Sequence, residues 1–237
     1  MNTTFMKVAV ATVIAGTTLF SGTASAATKV EIAATNQFEA LKTGMTMEQV
    51  AKVLYGKSYK TQLTKKDGST ILKKKPEFAD KEDGQKFATY NFYDTKVKVA
   101  PTYTALAFTT KAKDSVFRLT SKVINITAKT KLGVRESNMQ LIKGAKLSEG
   151  MTEQQLDAVL TGKGLGDWMD WANFDYSMVA SKAEIKQGLA DPIMMKSYVF
   201  QTTDPKKRML VSLAYNFKKK TYEVFLFEKV SATESLL

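Results

Sequence analysis

The chain has no cysteine and no histidine. The first absence removes a disulfide framework, a thiolate zinc site, a catalytic thiol and an N-terminal lipid-anchored Cys. The second removes a Ser-His-Asp triad and any imidazole metal ligand. Arginine is scarce, with three residues against 32 lysines. Bidentate recognition of phosphates or base edges is therefore not the design, and nucleic acid is not an expected partner. No S-x-x-K, G-x-S-x-G or G-x-x-x-x-G-K-[ST] occurs. Gly162, Gly164 and Gly166 follow a predicted helix instead of opening one, and G-x-G-x-x-G spacing fails at Asp167. Asp167, Asp170 and Asp175 miss the spacing of a calcium loop. The expectation is a protein without cofactor or metal, and not an enzyme.

What is present begins with a targeting segment. Lys7 precedes the apolar run Val8–Phe20, and Ala24-Ser25-Ala26 supplies a small-x-small cleavage pattern. The run is short of the ~20 residues needed to span a bilayer. A secretory signal peptide is predicted over 1–26, cleaved between Ala26 and Ala27. No later stretch reaches transmembrane length. The mature chain is expected to be exported, extracellular or wall-associated, from a bacterium that makes little use of disulfides.

The segment from Leu41 to Lys57 recurs 106 residues later as Leu147 to Lys163, with nine of 17 positions identical. Thr46 and Thr152 are predicted N-caps, and Gln49 and Gln155 complete capping boxes. Met45 and Met151 precede the caps and can staple onto Val50 and Leu156. Val50, Val53, Leu54 and Leu156, Val159, Leu160 follow one helical face. Gly56 and Gly162 stand where left-handed C-caps would end helices of about three turns. Caps and core positions account for every shared residue.

Each capped segment precedes stretches rich in Val, Ile, Thr, Tyr and Phe, which predict strands. These are Phe87–Tyr93, Tyr103–Thr109 and Val116–Thr127, then Ser197–Thr202, Arg208–Phe217 and Thr221–Val230. Lys111–Ser115 and Lys218–Lys220 read as hairpin loops. Asp67-Gly68 and Asp83-Gly84 are turn signals, with a further strand near Thr70–Leu72. A short helix is expected near Ser181–Leu189, and partial helix in Ala128–Gly144. The fold class is α+β, two tandem copies of a capped helical segment followed by an antiparallel meander, in one extended concave sheet. The copies are assigned to 27–133 and 134–237.

A helix opening Gly-Met-Thr-x-x-Gln-Val/Leu, an aliphatic pair and a Gly, followed by a meander and present twice, resembles the β-lactamase-inhibitor-protein-like family. The resemblance rests on Gly44–Gly56 and Gly150–Gly162. It implies two helix-plus-four-strand units side by side and a binding protein that meets its partner through a concave sheet. The inhibitor's disulfides have no counterpart here, and its blocking aspartate matches no position. No inhibitory residue is carried over.

Two features point to partners. The segment holding Asp167, Trp168, Asp170, Trp171, Phe174 and Tyr176 combines acids with both tryptophans. Such aromatics anchor interfaces, so these six residues are the candidate partner-binding loop. Charge is also uneven. Residues 27–133 carry 20 Lys or Arg against 10 acids, whereas 134–237 carry 14 against 13. Lys65, Lys66, Lys73, Lys74 and Lys75 are the candidate site for an anionic wall polymer. The expected function is a secreted, non-enzymatic binding protein with an unidentified protein partner. The alternatives are an envelope protein held on anionic polymers by its basic first copy, and a hydrolase using Asp167, Asp170 and Asp175. N-terminal sequencing of the exported protein is expected to start at Ala27, and a start at Met1 would refute cleavage.

Overall fold

A computed structural model describes residues 28–93, 103–128 and 130–234. The predicted signal segment lies outside the described residues. Eight strands make one antiparallel sheet whose spatial order is the chain order. They are β3 (Phe78–Glu82), β4 (Gln85–Tyr93), β5 (Tyr103–Thr109), β6 (Arg118–Asn125), β7 (Asp170–Phe174), β8 (Ile193–Gln201), β9 (Lys207–Asn216) and β10 (Thr221–Ser231). A separate ribbon pairs β1 (Leu63–Lys66) with β2 (Ser69–Leu72). Among the described residues, four α-helices, α1 (Lys29–Ala40), α2 (Met47–Tyr55), α3 (Glu153–Asp157) and α4 (Lys182–Lys186), and a 3-10 helix (Gly56–Gln62) complete the fold. The class is α+β. No helix among the described residues is long and apolar enough to cross a membrane.

The turns follow from residue chemistry. β1 joins β2 through Asp67-Gly68, and β3 joins β4 through Asp83-Gly84. Asp67 and Asp83 sit at φ 48°, with Gly68 and Gly84 at 76° and 81°. Positive φ at both central positions is the hairpin turn whose twist matches the strands, and Asp-Gly tolerates it best. The expected hairpins at Lys111–Ser115 and Lys218–Lys220 are also found.

Helices cover one face of the sheet. At one end Leu41, Met47, Val50 and Leu54 pack on Tyr90, Leu106, Phe108 and Leu119. At the other, Phe38, Leu156 and Leu160 pack with Ile124, Trp168, Tyr198, Phe200, Leu213 and Val224. Each fully buried side chain of this size contributes on the order of 1.5–3 kcal/mol by leaving water.

The two capped segments dock alike. Gln49 Oε1 accepts from the Thr46 N–H at 2.8 Å, and Gln155 Oε1 from the Thr152 N–H at 2.9 Å. The reciprocal Oγ1 bonds are present in both boxes. Gly44 N–H donates to Leu119 O and Leu119 N–H to Met45 O, both at 2.8 Å. Gly150 N–H likewise donates to Val224 O (2.7 Å) and Val224 N–H to Met151 O (2.8 Å). Each cap is thereby stitched to one strand, β6 or β10.

Beyond the caps the segments diverge from the three-turn expectation. α2 runs nine residues, but α3 stops after five. The connection before α3 captures the chain that follows it: Ile142 N–H bonds Val159 O, and Thr161 N–H bonds Gln140 O. Those groups are lost to a longer helix. Gly56 does end α2, at φ 54°, ψ −131°, outside the left-handed helical basin. Gly162 lies past the end of α3 and caps nothing. The stretch 128–144 is not helical in its described residues; Gln140 and Leu141 instead bridge Gln201 and Leu160. The unforeseen elements are α1, β1, β3 and β7. β3 is an exposed edge strand without an apolar face.

Thr46→Ala and Thr152→Ala are each expected to cost about 1 kcal/mol, measured as a lower urea midpoint at unchanged slope.

Candidate functional site

The pleat sends alternate residues of each strand to opposite faces. Register then fixes which side chains share the face without helices. One row across it is Tyr93–Tyr103–Asn125–Asp170–Ser197–Ser212. The next is Asn91–Ala105–Val123–Ala172–Met195–Ala214. Ala105, Ala172, Ala214, Ser197 and Ser212 make much of the centre of this open face small. Around it lie exposed apolar side chains: Phe78, Tyr93, Ile193 and Leu226 by register, and Phe225 at the β10 bulge.

Connections flank the face at both ends. Leu132 and Val134 pack on Val199 and Leu210, which are open-face positions. At the opposite end the chain between β7 and β8 comes back across β4. Gln85 Nε2 donates to Val179 O at 3.0 Å. Phe87, Thr109, Tyr176, Val179 and Ala190 line a groove of about 350 Å³ there.

Charge is sorted between the faces. All six lysines of the eight strands (Lys81, Lys86, Lys122, Lys196, Lys207 and Lys229) have register positions on the helix face. All five strand acids (Asp80, Glu82, Asp170, Glu223 and Glu228) are on the open face. The two strand arginines also map there, but each is engaged: Arg118 donates to Gly44 O at 3.2 Å, and Arg208 to Glu136 at 2.7 Å. Glu223 is met by Lys219 from the β9–β10 turn. A chain of formal charge +12 therefore presents an open face with more acids than bases.

Of the helix-face lysines, Lys122 is buried and Lys196 half-buried. Lys122 Nζ donates to Phe38 O and Leu41 O, both at 2.5 Å, and sits 3.6 Å from the centre of the Phe38 ring. It caps the C-terminal end of α1, where a cation is favoured. Burial, with help from Lys42, pushes its amine down to about 7. Lys196 lies between Trp171 and Tyr222, 4.3 and 4.6 Å from their ring centres, and pairs with Glu153. Burial lowers its pKa as well.

The predicted aromatic loop is in part a strand, with Asp167, Trp168 and Tyr176 in the connections that flank it. Asp170-Trp171-Ala172-Asn173-Phe174 is β7, at the middle of the sheet. Alternation divides its residues. Trp171 faces the core, stacked on Phe38 at 4.0 Å and donating Nε1–H to Tyr222 Oη at 3.0 Å. Trp168 is 2 % exposed. Trp168 is buried and Trp171 partly buried in the cluster that packs α1 on the sheet. Asp170 and Phe174 are on the open face, and Tyr176 borders its groove.

The three aspartates do not converge. Asp167 is bound by Arg135, whose Nε lies 2.6 Å away, and accepts from Thr28 N–H. Asp170 is half-buried on the open face, where burial raises its pKa while the Ser197 hydroxyl draws it down. Asp175 accepts from Ser177 and from Thr43. The separate partners give no support to the carboxylate-hydrolase alternative.

Lys65, Lys66, Lys73, Lys74 and Lys75 are all exposed on or beside the β1–β2 ribbon. None of them is in an ion pair among the described residues. Met47 to Lys75 holds eight lysines and two acids. The cluster is contiguous in space because the ribbon packs on α2.

Sequence reasoning missed the open-face row. Its signal was the alternation within 170–174, hidden by a stretch of acids and aromatics that resembles a loop. No family model matches the chain, and curated proteins and solved structures give no match.

Beneath the sheet end, Glu31 of α1 shares a hydrogen bond with Asp167. Burial first, then Asp167, holds the Glu31 carboxyl up at about 8. Burial acts to raise Asp167 too, but bonds from Glu31 and Arg135 outweigh it and bring it below the ordinary range. A raised folded-state pKa stabilises the fold below the unfolded value, 4.5, and that stabilisation is lost as pH rises through about 8. Glu31→Gln is expected to flatten this decline, read as thermal midpoints from pH 5 to 9 in both proteins.

Proposed function

We propose that this is a secreted, non-enzymatic binding protein that meets a protein partner across its open sheet face. Its organisation is a tandem of two β-lactamase-inhibitor-protein-like units, each a capped helix and four strands. Matched capping boxes and matched stitches to β6 and β10 support the tandem. The observation that carries the binding reading is the face itself. It has a floor of small residues, a border of exposed Phe78, Tyr93, Ile193 and Leu226, and charge of the opposite balance to the rest of the chain. Exposed apolar groups of this kind, set among polar ones, are how interaction surfaces announce themselves.

The test is Ala105→Arg, which places a long cation on the open-face floor. It is expected to abolish capture of the partner from culture supernatant or envelope extract and to leave the far-UV spectrum unchanged. Undiminished capture by a folded Ala105→Arg protein would sink the reading.

A second reading is favoured by the unpaired lysines of the β1–β2 ribbon: retention on an anionic wall polymer or lipid surface. Replacing Lys65, Lys66, Lys73, Lys74 and Lys75 by Gln is expected to lower the salt needed to elute the protein from cells. An unchanged elution salt would remove this role.

A further inference from the structure

The groove at the β3–β4 end of the open face has two walls of different origin. Phe87 and Thr109, paired across β4 and β5, form the sheet wall. Tyr176, Val179, Leu189 and Ala190 form the other, from the connection between β7 and β8. The walls are tied together, since Gln85 Nε2 donates to Val179 O at 3.0 Å. The volume of about 350 Å³ is at the low end of the ~300–1,000 Å³ of ligand pockets. Leu189 and Tyr176 remain 69 % and 39 % exposed. Two polar groups of the lining are already engaged: the Gln85 amide on Val179, and the Thr109 hydroxyl with Thr120 Oγ1 at 3.1 Å. The other three, Glu82, Asp83 and Glu184, are exposed carboxylates. Among the described residues no lysine or arginine lines the groove. Lys182 and Lys186 stand two positions either side of Glu184, about 200° round the α4 axis.

The geometry points to a groove that takes one apolar side chain of the protein partner, with a lysine or arginine next to it in the partner's chain met by Glu82, Asp83 and Glu184. The apolar side chain covers Leu189, Val179 and the Phe87 ring, which removes exposed apolar surface on both molecules from water. The tie between Gln85 and Val179 holds the walls before the partner arrives, so little ordering is left for binding to bear. Glu184 is held as well, because its carboxylate accepts from Ser181 N–H at 2.6 Å in the α4 capping box. That bond keeps its pKa below the ordinary range. An ionised carboxylate has about four lone-pair sites, so the Ser181 bond leaves capacity for a cation. An anionic occupant would be repelled by all three acids. A wholly apolar one would cover carboxylates without giving them a donor.

This groove deepens the partner reading and rests on it, so the test separates the two. Acetyl-Gly-Leu-Lys-Gly-amide is titrated into the purified protein, with the Val179 and Ala190 methyl signals followed by NMR. Saturable shifts at those methyls are expected. Gly in place of the peptide's Leu is expected to weaken binding at least ~10-fold, and Gln in place of its Lys ~5-fold. Glu82→Gln, Asp83→Asn and Glu184→Gln are combined in one variant that keeps the local structure. Asn-Gly suits the β3–β4 turn as Asp-Gly does, and Gln serves in a capping box. This variant is expected to bind the Leu-Lys peptide ~5-fold more weakly and the Leu-Gln peptide as before. Leu189→Asn, a change at an exposed side chain, is expected to weaken both. Comparison of the peptides on the unaltered protein keeps the result independent of any variant's folding. Absent or non-saturable shifts, equal binding of the Leu-Lys and Leu-Gln peptides, or undiminished affinity in the neutralised variant would overturn the groove's role. Methyl shifts that change on dilution without peptide would put a second copy of the chain in the groove, and would overturn it as well. If the peptide fails while Ala105→Arg still abolishes capture, only the groove is wrong. If it binds with this ranking while Ala105→Arg captures normally, the groove stands and the partner reading across the face falls.

Discussion

The pairing of β6 with β7 is the contact on which the rest of this molecule depends. Ser121–Asn125 runs antiparallel to Asp170–Phe174, and so the four strands before it and the four after it become one sheet. Strand pairing transmits parity as well as position, because opposite residues must share a face. Once Ile124 lies against Trp171 on the core side, Asn125 and Asp170 must lie together on the other. A register slip of one residue here would turn Trp171 outward and bury Asp170 among Phe38, Tyr198 and Leu213.

That parity explains the division of labour between the faces. The helix face uses two lysines structurally: Lys122 as a donor to the last carbonyls of α1 and Lys196 between Trp171 and Tyr222. Both are amphipathic, with long apolar stems that cover sheet surface. The open face carries the strand acids, of which Asp80, Glu82 and Glu228 remain next to water. Small residues along its middle keep it low, and the segments around Leu132 and Val179 stand over its ends. A face so arranged has room for another molecule and a charge preference for a basic one.

The basic ribbon and the open face belong to different parts of the structure. The ribbon is held by α2 at one end of the sheet, on the helix side. Its lysines lie apart from the acids of the open face. The two proposed roles therefore use separate surfaces.

Much of the fold was legible in the residues. Thr46 with Gln49 and Thr152 with Gln155 determine their caps locally, because a capping box involves only neighbours in sequence. Tyr103–Thr109 determines its strand, and the Asp-Gly pairs their turns, for the same reason. The α+β class follows from these local signals. Tertiary structure decided the rest. α3 ends after five residues because Gln140 and Ile142, distant in sequence, take its backbone groups. Trp168 and Trp171 went to the core because α1, with Phe38, needed a surface to cover. Asp170 and Asn125 became neighbours only through a pairing across 45 positions of chain. Local chemistry sets which elements form; long-range pairing sets the side to which each residue points, and here the candidate site is a matter of side.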